Sequence, residues 1–327
     1  MPKSIFHKLS EAEDSAVILS VTPNPCVDKT VFVERLTPGA KIRSQRYTCI
    51  PGGKGNNVAR SVKALGFEAA SLVIVGGPTG QHVVDMIEHQ DGVRCIPVWV
   101  KGMTRTITTV LEESGHRQTA FFEPGPAVSK RELKRLVDIF SRALVEARVV
   151  TLNGTVPDPR IDSLYQQLIR IAREAGVITI LDTYGPELAL ALGAAPYMVK
   201  PNLTEAEGFV GFRLDTWEAR HRAIDRLHEK GVELVVLSLG KDGALVSRGG
   251  ERFHVIPPQI QEVNDVGSGD ALVAGFAIGL QEGWPLEETA RLGVAAGAAN
   301  AMSWDIGHFT REEVEHVMTQ VRVEPNP

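Results

Sequence analysis

Cysteine, positive charge and long hydrophobic runs are all scarce in this 327-residue chain. Its three cysteines, Cys26, Cys49 and Cys95, include no CxxC pair, so no disulfide framework or structural zinc site is indicated. Lys and Arg (35) are fewer than Asp and Glu (40), which argues against the basic face of a nucleic-acid-binding protein. No run approaches ~18 uninterrupted apolar residues, so the sequence predicts no membrane-spanning helix.

Signals of low complexity and of secretion are also missing. Glycine (31) and proline (19) are too few for a collagen-like or disordered chain. The segment 1–15 lacks the continuous apolar stretch of a signal peptide. We therefore expect a flexible tail over 1–15 and a cytoplasmic protein. The length beyond the tail suits two domains or one large domain with an insertion.

Short apolar runs alternate with helical patterns along the chain. Such runs are typical of strands buried on both faces of a parallel sheet. Between them, hydrophobic residues recur three or four apart, as over 129–146, where Ser129 and Glu132 have the capping-box spacing of a helix start. The alternation predicts an α/β fold with a doubly wound, mostly parallel sheet and helices on both faces. The predicted strands lie at 16–22, 70–75, 148–152, 177–181, 197–199 and 233–237.

Two stretches do not follow this alternation. Residues 31–47 and 98–122 alternate polar and apolar side chains, and 104–111 is rich in β-branched residues, as in half-exposed strands. We interpret them as one small inserted sheet that forms a lid over a site, although two hairpins decorating an edge fit the pattern equally well. The expected organisation is an α/β domain and a β-sheet lid, the first over 16–30, 48–97 and 123–327 and the second over 31–47 and 98–122.

The strongest chemical signal is the glycine-rich segment that ends at Asp270 and precedes an apolar helix. Gly267, Ser268 and Gly269 permit a tight turn, and free N–H groups at the start of the following helix attract an anion. A carboxylate beside a bound polyanion is repelled by it, so Asp270 is better explained as a base that accepts a proton from an attacking hydroxyl. An ordinary turn followed by a first-turn Asp is the alternative.

The other glycine-rich segment comes first along the chain and is called the first glycine-rich loop. It runs over 51–60. Gly52 and Gly53 allow close backbone approach to a ligand, while Lys54 and Asn57 offer donors to sugar hydroxyls or a phosphate. The GxxxxGK[ST] spacing of a Walker A loop is absent. A glycine-rich loop that merely precedes a helix is the alternative.

Polar residues also follow two of the predicted strands. After 197–199, Asn202 and Glu205 fall in one helical turn, where an amide oxygen and a carboxylate suit a hydrated Mg²⁺. The alternative is a helix N-cap with a capping box. After 16–22, Asp28 is placed to accept bonds from two neighbouring sugar hydroxyls at the carboxyl end of a strand, or it is simply a turn residue.

Together these segments resemble the ribokinase-like (PfkB) family of carbohydrate kinases, over nearly the whole chain beyond the tail. Gly52-Gly-Lys-Gly55 is similar to the family's first signature, and Gly267-Ser-Gly-Asp270 is similar to its second. Lys54 and the opening Thr22-Pro-Asn-Pro25, followed by Asp28, resemble the branch that acts on phosphorylated ketohexoses. That branch contains 1-phosphofructokinase, tagatose-6-phosphate kinase and the minor 6-phosphofructokinase.

The resemblance implies a role for each group of residues. Asp270 is then the catalytic base, and the N–H groups of Gly267, Ser268 and Gly269 bind the transferring phosphoryl group. The residues implied for the sugar are Asp28, Gly52, Gly53, Lys54 and Asn57. The cations implied for the phosphate already on the substrate are Lys41, Arg43 and Arg105. The resemblance also implies that the small apolar segment 293–300 flanks the adenine. The residues implied for the nucleotide lie at strand ends and at the end of this segment. They are Lys200, Asn202, Ser238, Gly240 and Asn300. The residues implied for magnesium are Asn202 and Glu205.

The implied reaction is transfer of the ATP γ-phosphoryl group, with Mg²⁺, to a primary hydroxyl of a ketohexose monophosphate: fructose 1-phosphate, tagatose 6-phosphate or fructose 6-phosphate. A kinase of an unphosphorylated sugar or nucleoside is one alternative. A catalytically weak sugar-phosphate sensor is another, because Asp265 stands where relatives usually carry Thr or Pro. A dehydrogenase is excluded because no GxGxxG follows the first strand. The expected partners are the sugar phosphate, ATP and a second copy bound through the lid, with no nucleic acid and no membrane.

Overall fold

The computed structural model of the chain describes residues 16–115 and 117–325. The flexible tail expected over 1–15 lies outside the described residues. Two sheets and the helices that cover them make up this part of the chain.

The strands are named here in chain order. They are β1 (Val17–Thr22), β2 (Cys26–Val33), β3 (Arg46–Gly52), β4 (Ala69–Val75), β5 (Arg94–Trp99), β6 (Arg105–Glu112), β7 (Arg117–Phe122), β8 (Ala147–Asn153), β9 (Ile178–Asp182), β10 (Met198–Val199), β11 (Leu234–Ser238), β12 (Ala244–Arg248), β13 (Glu251–Ile256) and β14 (Arg322–Pro325).

The α-helices are named in the same way. They are α1 (Lys54–Ala64), α2 (Gly77–His89), α3 (Lys130–Ala143), α4 (Leu164–Glu174), α5 (Gly185–Leu192), α6 (Leu203–Val210), α7 (Trp217–His228), α8 (Ser268–Gln281), α9 (Leu286–Ala301) and α10 (Arg311–Met318). No helix in the described ranges is both long and apolar enough to cross a membrane.

The large sheet is mostly parallel and is covered on both faces, as predicted. Its order is β14-β13-β12-β11-β10-β9-β8-β1-β4-β5, and only the pairings of β12, with β11 and β13, and of β13 with β14 are antiparallel. One apolar core contains buried residues of α1, α2, α8, α9 and α10, and the other contains buried residues of α3 to α7. Every residue of β4 is buried, which explains its continuous apolar run.

The predicted start of one covering helix is confirmed. Ser129 caps α3, with its side chain accepting from the Glu132 N–H while the Glu132 carboxylate accepts from the Ser129 N–H. Leu136 and Phe140 are fully buried on the inner side of the same helix. The capping box therefore sets where the helix begins, and the apolar side sets how it packs.

The strand order changes direction at β1. The chain leaves β1 towards β4 and β5 on one side, and later returns through β8 on the other. In open α/β sheets, ligands bind at such a switch point, outside the carboxyl ends of the strands. The ends of β1, β8 and β9 therefore mark where a site is expected.

The small sheet has the order β3-β2-β6-β7 and is separate from the large one. Residues 98 and 99 of the expected range 98–122 end β5 of the large sheet. The small sheet also extends beyond the expected range 31–47 at both ends, because β2 begins at Cys26 and β3 continues to Gly52. The predicted boundaries placed these strand ends in the α/β domain, whereas β2 and β3 pair without interruption from Cys26–Gly52 to Phe32–Arg46. Because of this continuous pairing, Asp28 lies on a strand of the small sheet.

Candidate active site

The first glycine-rich loop lies directly against the end of β1. Gly53 has φ of 113°, and a Cβ placed on it would lie 2.6 Å from Cγ2 of Thr22. A Cβ on Gly52 would lie 2.5 Å from Sγ of Cys26. These glycines are therefore required by close packing within the chain itself, and their contact with a sugar stays a prediction.

Lys54 is the centre of a cluster of opposite charges. Its Nζ lies 3.2 Å from Oδ1 of Asp182 and 3.5 Å from Oε1 of Glu205. Lys200 Nζ lies 3.5 Å from the same Asp182 oxygen, and both members of that pair are almost fully buried. Burial alone lowers the pKa of Lys54, but the charges of Asp182, Asp270 and Glu205 outweigh it and raise the pKa. Lys54 is thus held charged beside Asp182.

Asp270 lies in the first turn of α8 and is buried, with 6% of its surface exposed. Its Oδ2 accepts a 2.8 Å hydrogen bond from Nδ2 of Asn57. Burial, followed by the nearby charge of Asp182, raises the pKa of Asp270 to about 6, against the opposing effects of Lys54, Asn57 and Lys200. A carboxylate with this pKa is ionised at neutral pH and is basic enough to accept a proton.

The turn before Asp270 has the shape of an anion site. Gly267 caps α8 in the left-handed region, with φ of 83°, so N–H groups are presented at the positive end of the helix dipole. The Ser268 N–H donates to the Asp265 carbonyl at 3.1 Å. This N–H is therefore already hydrogen-bonded within the chain, whereas the sequence analysis expects it to bind the transferring phosphoryl group. Lys200 Nζ lies beside Gly269, 3.2 Å from the position of a Cβ there. The anion site therefore has an ammonium next to it.

Asn300 supports this turn from behind. Its Nδ2 donates to the Val266 carbonyl at 2.9 Å and to Oγ of Ser268 at 3.1 Å, and its Oδ1 accepts from the Gly307 N–H at 2.8 Å. The segment 293–300 is buried against α8, with a Cβ on Gly293 only 2.6 Å from Cδ2 of Phe276. The side chain of Asn300 is thus engaged within the chain, and its contact with a nucleotide stays a prediction.

Asn202 and Glu205 form the capping box that the sequence offered as the alternative to a metal site. The Asn202 side chain accepts from the Glu205 N–H at 2.8 Å, and the Glu205 carboxylate accepts from the Asn202 N–H at 3.0 Å. The capping role and the metal-binding role are compatible for Glu205, because one carboxylate oxygen accepts from the Asn202 N–H while the other faces Lys54. Their role towards a metal remains a prediction.

The carboxylates around Lys54 are the donors available to Mg²⁺. No group of three or more His, Cys, Asp or Glu side chains within the described residues could hold a metal by itself. Mg²⁺ keeps several waters and usually binds one or two carboxylates together with phosphate oxygens. Asp182 and Glu205 supply two carboxylates around Lys54, and Oδ2 of Asp182 is buried without a hydrogen-bond partner in the part of the chain that the structure describes. These residues fit a hydrated Mg²⁺ beside a phosphate chain.

Asp28 and Arg105 lie on one face of the small sheet. In the register, Arg105 pairs with Cys26 and Asp28 pairs with Ile107, which places all four on one face. Arg105 Nη2 donates to the Asn24 carbonyl at 3.0 Å, whereas its buried Nε has no hydrogen-bond partner among the described residues. Burial raises the pKa of Asp28, while the charges of Arg60 and Arg105 lower it. The pair offers an acceptor and a donor to one ligand.

The remaining predicted residues are further apart. Lys41 and Arg43 lie in the exposed connection between β2 and β3, and the structure does not bring them to Arg105. Ser238 ends β11, forms a bridge with Asn202 and donates to the Pro201 carbonyl at 3.4 Å. Gly240 begins a short 3-10 helix after it. Their contacts with substrates stay predictions.

Several buried residues of the site were not identified from the sequence. Asp182, which joins Lys54 to Lys200, is a single Asp at the end of β9 and belongs to no spaced motif. Its position after a buried strand was the only available signal. Buried polar atoms without a partner among the described residues gather at the same edge, on Asn24, Arg105, Asn153, Asp182 and Thr183. Such atoms are rare in proteins, and their partner is a ligand, an ion or an ordered water.

Comparison with known proteins gives consistent matches. Residues 21–303, which include both glycine-rich loops and the small sheet, match the family described as pfkB family carbohydrate kinase. The chain is 33% identical over 307 residues to a 1-phosphofructokinase of Bacillus subtilis (strain 168), covering 94% of this chain and 99% of that protein. It is 29% identical over 311 residues to a tagatose-6-phosphate kinase of Staphylococcus epidermidis, covering 94% and 99%.

A solved structure agrees with these matches. The tetrameric inhibited form of phosphofructokinase-2 from Escherichia coli superposes with a TM-score of 0.86 at 29% identity, covering 93% of this chain and 99% of that one. The agreement in fold extends over the same length as the agreement in sequence.

Proposed function

The chain belongs to the pfkB family of carbohydrate kinases, and from this premise we propose that its site transfers the γ-phosphoryl group of ATP to a primary hydroxyl of a ketohexose monophosphate. The relatives named above are kinases of phosphorylated ketohexoses. The observation that supports the site assignment most strongly is Asp270, a buried carboxylate at the N-terminus of α8 that is fixed by Asn57.

The mechanism follows from the placement of these groups. Asp270 accepts the proton of the sugar hydroxyl as that oxygen attacks the γ-phosphorus in line with the leaving oxygen of ADP. The N–H groups of the turn before α8 and the Lys200 ammonium stabilise the charge on the transferring group. Glu205 and Asp182 would hold a hydrated Mg²⁺, which would neutralise charge on the nucleotide phosphates.

The sugar is placed on the other side of Asp270. Asp28 binds its hydroxyls, and Lys54 and Asn57 complete the floor of the site. Arg105 meets the phosphate already on the substrate, since its buried Nε lacks a partner among the described residues. Lys41 and Arg43 join Arg105 when the small sheet closes as a lid and expels water.

Magnesium and the cellular setting are part of the same proposal. The reaction consumes ATP, so we place the protein in the cytoplasm, where ATP is made available to metabolic kinases. We expect EDTA to abolish turnover and added Mg²⁺ to restore it, because the phosphate charges are then neutralised.

The small sheet also supports a homodimer. Its exposed aromatic side chains, Tyr47, Phe121 and Phe122, are each more than half exposed, and exposed apolar surface of this kind marks an interaction site. Light scattering with the Phe121→Ser/Phe122→Ser variant tests this assembly. The expected result is loss of the dimer, and a wild-type monomer would contradict it.

The substrate is tested by ADP release with ATP and Mg²⁺. The panel holds fructose 1-phosphate, fructose 6-phosphate, tagatose 6-phosphate, free fructose and ribose. Turnover of one phosphorylated ketohexose is the expected result. Turnover of free sugars alone would remove the role of Arg105, Lys41 and Arg43, and silence on the whole panel would favour a sensor.

The base is tested by Asp270→Asn. This change keeps the shape of the side chain and removes the proton acceptor, so we expect kcat to fall by about 10²–10⁴-fold with little change in either KM. Asp85→Asn, the same change at an exposed position on α2, serves as the control. Equal kcat in Asp270→Asn and wild type would contradict the assignment.

A further inference from the structure

Arg60 lies on α1, outside every residue assigned to the site so far, and its side chain is only 11% exposed. Its guanidinium is paired with Asp91 at 2.8 Å through both Nε and Nη2. The Asp91 side chain is 8% exposed. Removing two charges from water is costly unless the surrounding hydrogen bonds repay it, so a buried pair at this position calls for a reason other than stability.

The remaining guanidinium hydrogens reach three segments of the site. Nη1 donates to Oδ1 of Asn57 at 3.1 Å and to the Ile306 carbonyl at 3.3 Å, and Nη2 donates to the Pro51 carbonyl at 2.9 Å. Pro51 is the first residue of the first glycine-rich loop, and Ile306 packs against Gly267, where a Cβ would collide with the Ile306 side chain. One side chain therefore contacts the first glycine-rich loop, Asn57, and the residue that packs against the turn before α8.

The bond to Asn57 has a chemical consequence. A guanidinium has donors only, so it selects the amide orientation in which Oδ1 faces Arg60 and Nδ2 faces Asp270. With the amide reversed, two oxygens would face each other across Asn57 and Asp270. Arg60 thus determines that the carboxylate of Asp270 receives a donor.

We propose that Arg60 is a positioning residue for phosphoryl transfer, which fixes the Asn57 amide against the base Asp270 and holds the two glycine-rich segments in register. This inference rests on the proposed function, because Asp270 is its target. Lys at this position would keep the charge but lose the planar fork that reaches several acceptors at once. Asp91 supplies the countercharge that allows the fork to be buried.

The groups that face Asp270 define the expected pH effect. They are Asn57 and Lys54 from α1, Asp182 from the end of β9 and Lys200 from the segment after β10. Arg60→Lys leaves these charges in place and changes only how firmly the Asn57 donor is held. The ionised form of Asp270 is then less stabilised, so its pKa rises.

The experiment compares wild type, Arg60→Lys and the control Arg94→Lys, which alters an exposed arginine paired with Glu146. We measure kcat, both KM values, the pH profile of kcat/KM and the melting temperature. For Arg60→Lys we expect kcat to fall by about 10²-fold, KM values to change little, and the acid limb to move upward by about one pH unit. Arg94→Lys should behave as wild type.

A double-mutant cycle with Asn57→Ala separates positioning from a general structural effect. If Arg60 acts through Asn57, Arg60→Lys will lower kcat far less in the Asn57→Ala background than in wild type. The proposal would be overturned if Arg60→Lys kept the wild-type kcat and the wild-type acid limb of the pH profile. It would also be overturned if the losses of kcat in the cycle were additive. If Arg60→Lys does not fold, Asp91→Asn, which loosens the same guanidinium, carries the same expectations.

A readout without turnover keeps this inference distinct from the proposed function. The carboxyl carbons of ¹³C-labelled aspartates are titrated by NMR, and Asp270 is identified from its missing signal in Asp270→Asn. The Asp270 pKa should rise in Arg60→Lys even if no substrate on the panel is turned over. An unchanged Asp270 titration would reject Arg60 as a positioning residue, whereas silence on the panel would reject only the proposed reaction.

Discussion

At the scale of single residues, the site is a balance of buried charges. Asp182 touches two ammonium groups, those of Lys54 and Lys200, through one oxygen. Asp270 lies near the same charges, forms no ion pair with any residue in 16–115 or 117–325, and is held by the neutral Asn57 instead. The result is one carboxylate whose pKa is lowered by its lysines and one whose pKa is raised by burial. Such a separation distinguishes a structural carboxylate from a base.

The pH dependence of the reaction follows from this separation. Asp270 must be deprotonated to accept a proton, and its pKa is raised to about 6. We therefore expect kcat/KM to be maximal near neutral pH and to be lost as the pH falls through about 6. Steady-state rates from pH 5 to 8 test this, with circular dichroism to show that the fold persists. A flat profile down to pH 5 would mean that another group accepts the proton.

The substrate phosphate gives a second prediction at this scale. Arg105→Ala should raise KM for the sugar phosphate by about 10–100-fold, because a charge-assisted contact of about 1.5–3 kcal/mol is lost, while KM for ATP stays unchanged. Arg131→Ala, at an exposed position on α3, is the matched control. An unchanged KM for the sugar phosphate would show that its phosphate lies elsewhere.

Part of the site was predictable at the residue scale. Asp270, Lys54 and Asn57 stand in the two glycine-rich segments that the sequence analysis singled out, and the structure places them around one point, while their roles stay predictions. Asp182 was not predictable, because a single Asp after a strand has no spacing to recognise. Asn202 and Glu205 show a third case, since the same NxxE pattern predicts both a capping box and a metal element, and the structure shows the capping box.

At the scale of elements, two helices meet through glycine. The α8–α9 pair is buried almost completely, and a Cβ on Gly275 would lie 2.6 Å from Cα of Gly293. The segment 293–300 of α9 is small and apolar, and the family resemblance implies that it flanks the adenine. Small residues also allow two helices to approach closely, and periodicity alone does not separate these uses. Here the close approach holds α8, and with it Asp270, in place.

Gly275→Ala tests the importance of this contact. The added methyl collides with backbone rather than with a flexible side chain, so we expect the free energy of unfolding to fall by about 1–3 kcal/mol. Gly208→Ala in α6, where a Cβ would meet nothing within 4 Å, should be neutral or stabilising by about 0.5–1 kcal/mol. Urea unfolding of both variants measures the difference, and equal midpoints would show that the helices can move apart without loss.

At the scale of the whole molecule, the small sheet and the site form one continuous structure. The chain passes from β1 through Thr22-Pro-Asn-Pro25 directly into β2, and β3 leads directly into the first glycine-rich loop. Strand patterning identified the small sheet but not its inner ends, because Cys26 and Gly52 lie beside turn residues that are typical of loops. We therefore expect any movement of this sheet to be transmitted to both sides of the proposed sugar site. Because the net charge is −5, a bound phosphate has to be met by local charge and backbone dipoles, and we expect Lys41 and Arg43 to supply part of that charge.

Limited digestion with trypsin tests closure of the whole molecule. Lys41 and Arg43 lie in the exposed connection between β2 and β3, and exposed connections are preferred sites of cleavage. We expect saturating substrate sugar phosphate to slow cleavage there several-fold, since both cations then engage its phosphate. Arg105→Ala should lose this protection at the same concentration, because the phosphate is no longer anchored from the opposite strand. Equal protection by unphosphorylated fructose would mean that the connection responds to the sugar ring, and the phosphate would then have to be bound by residues outside this loop.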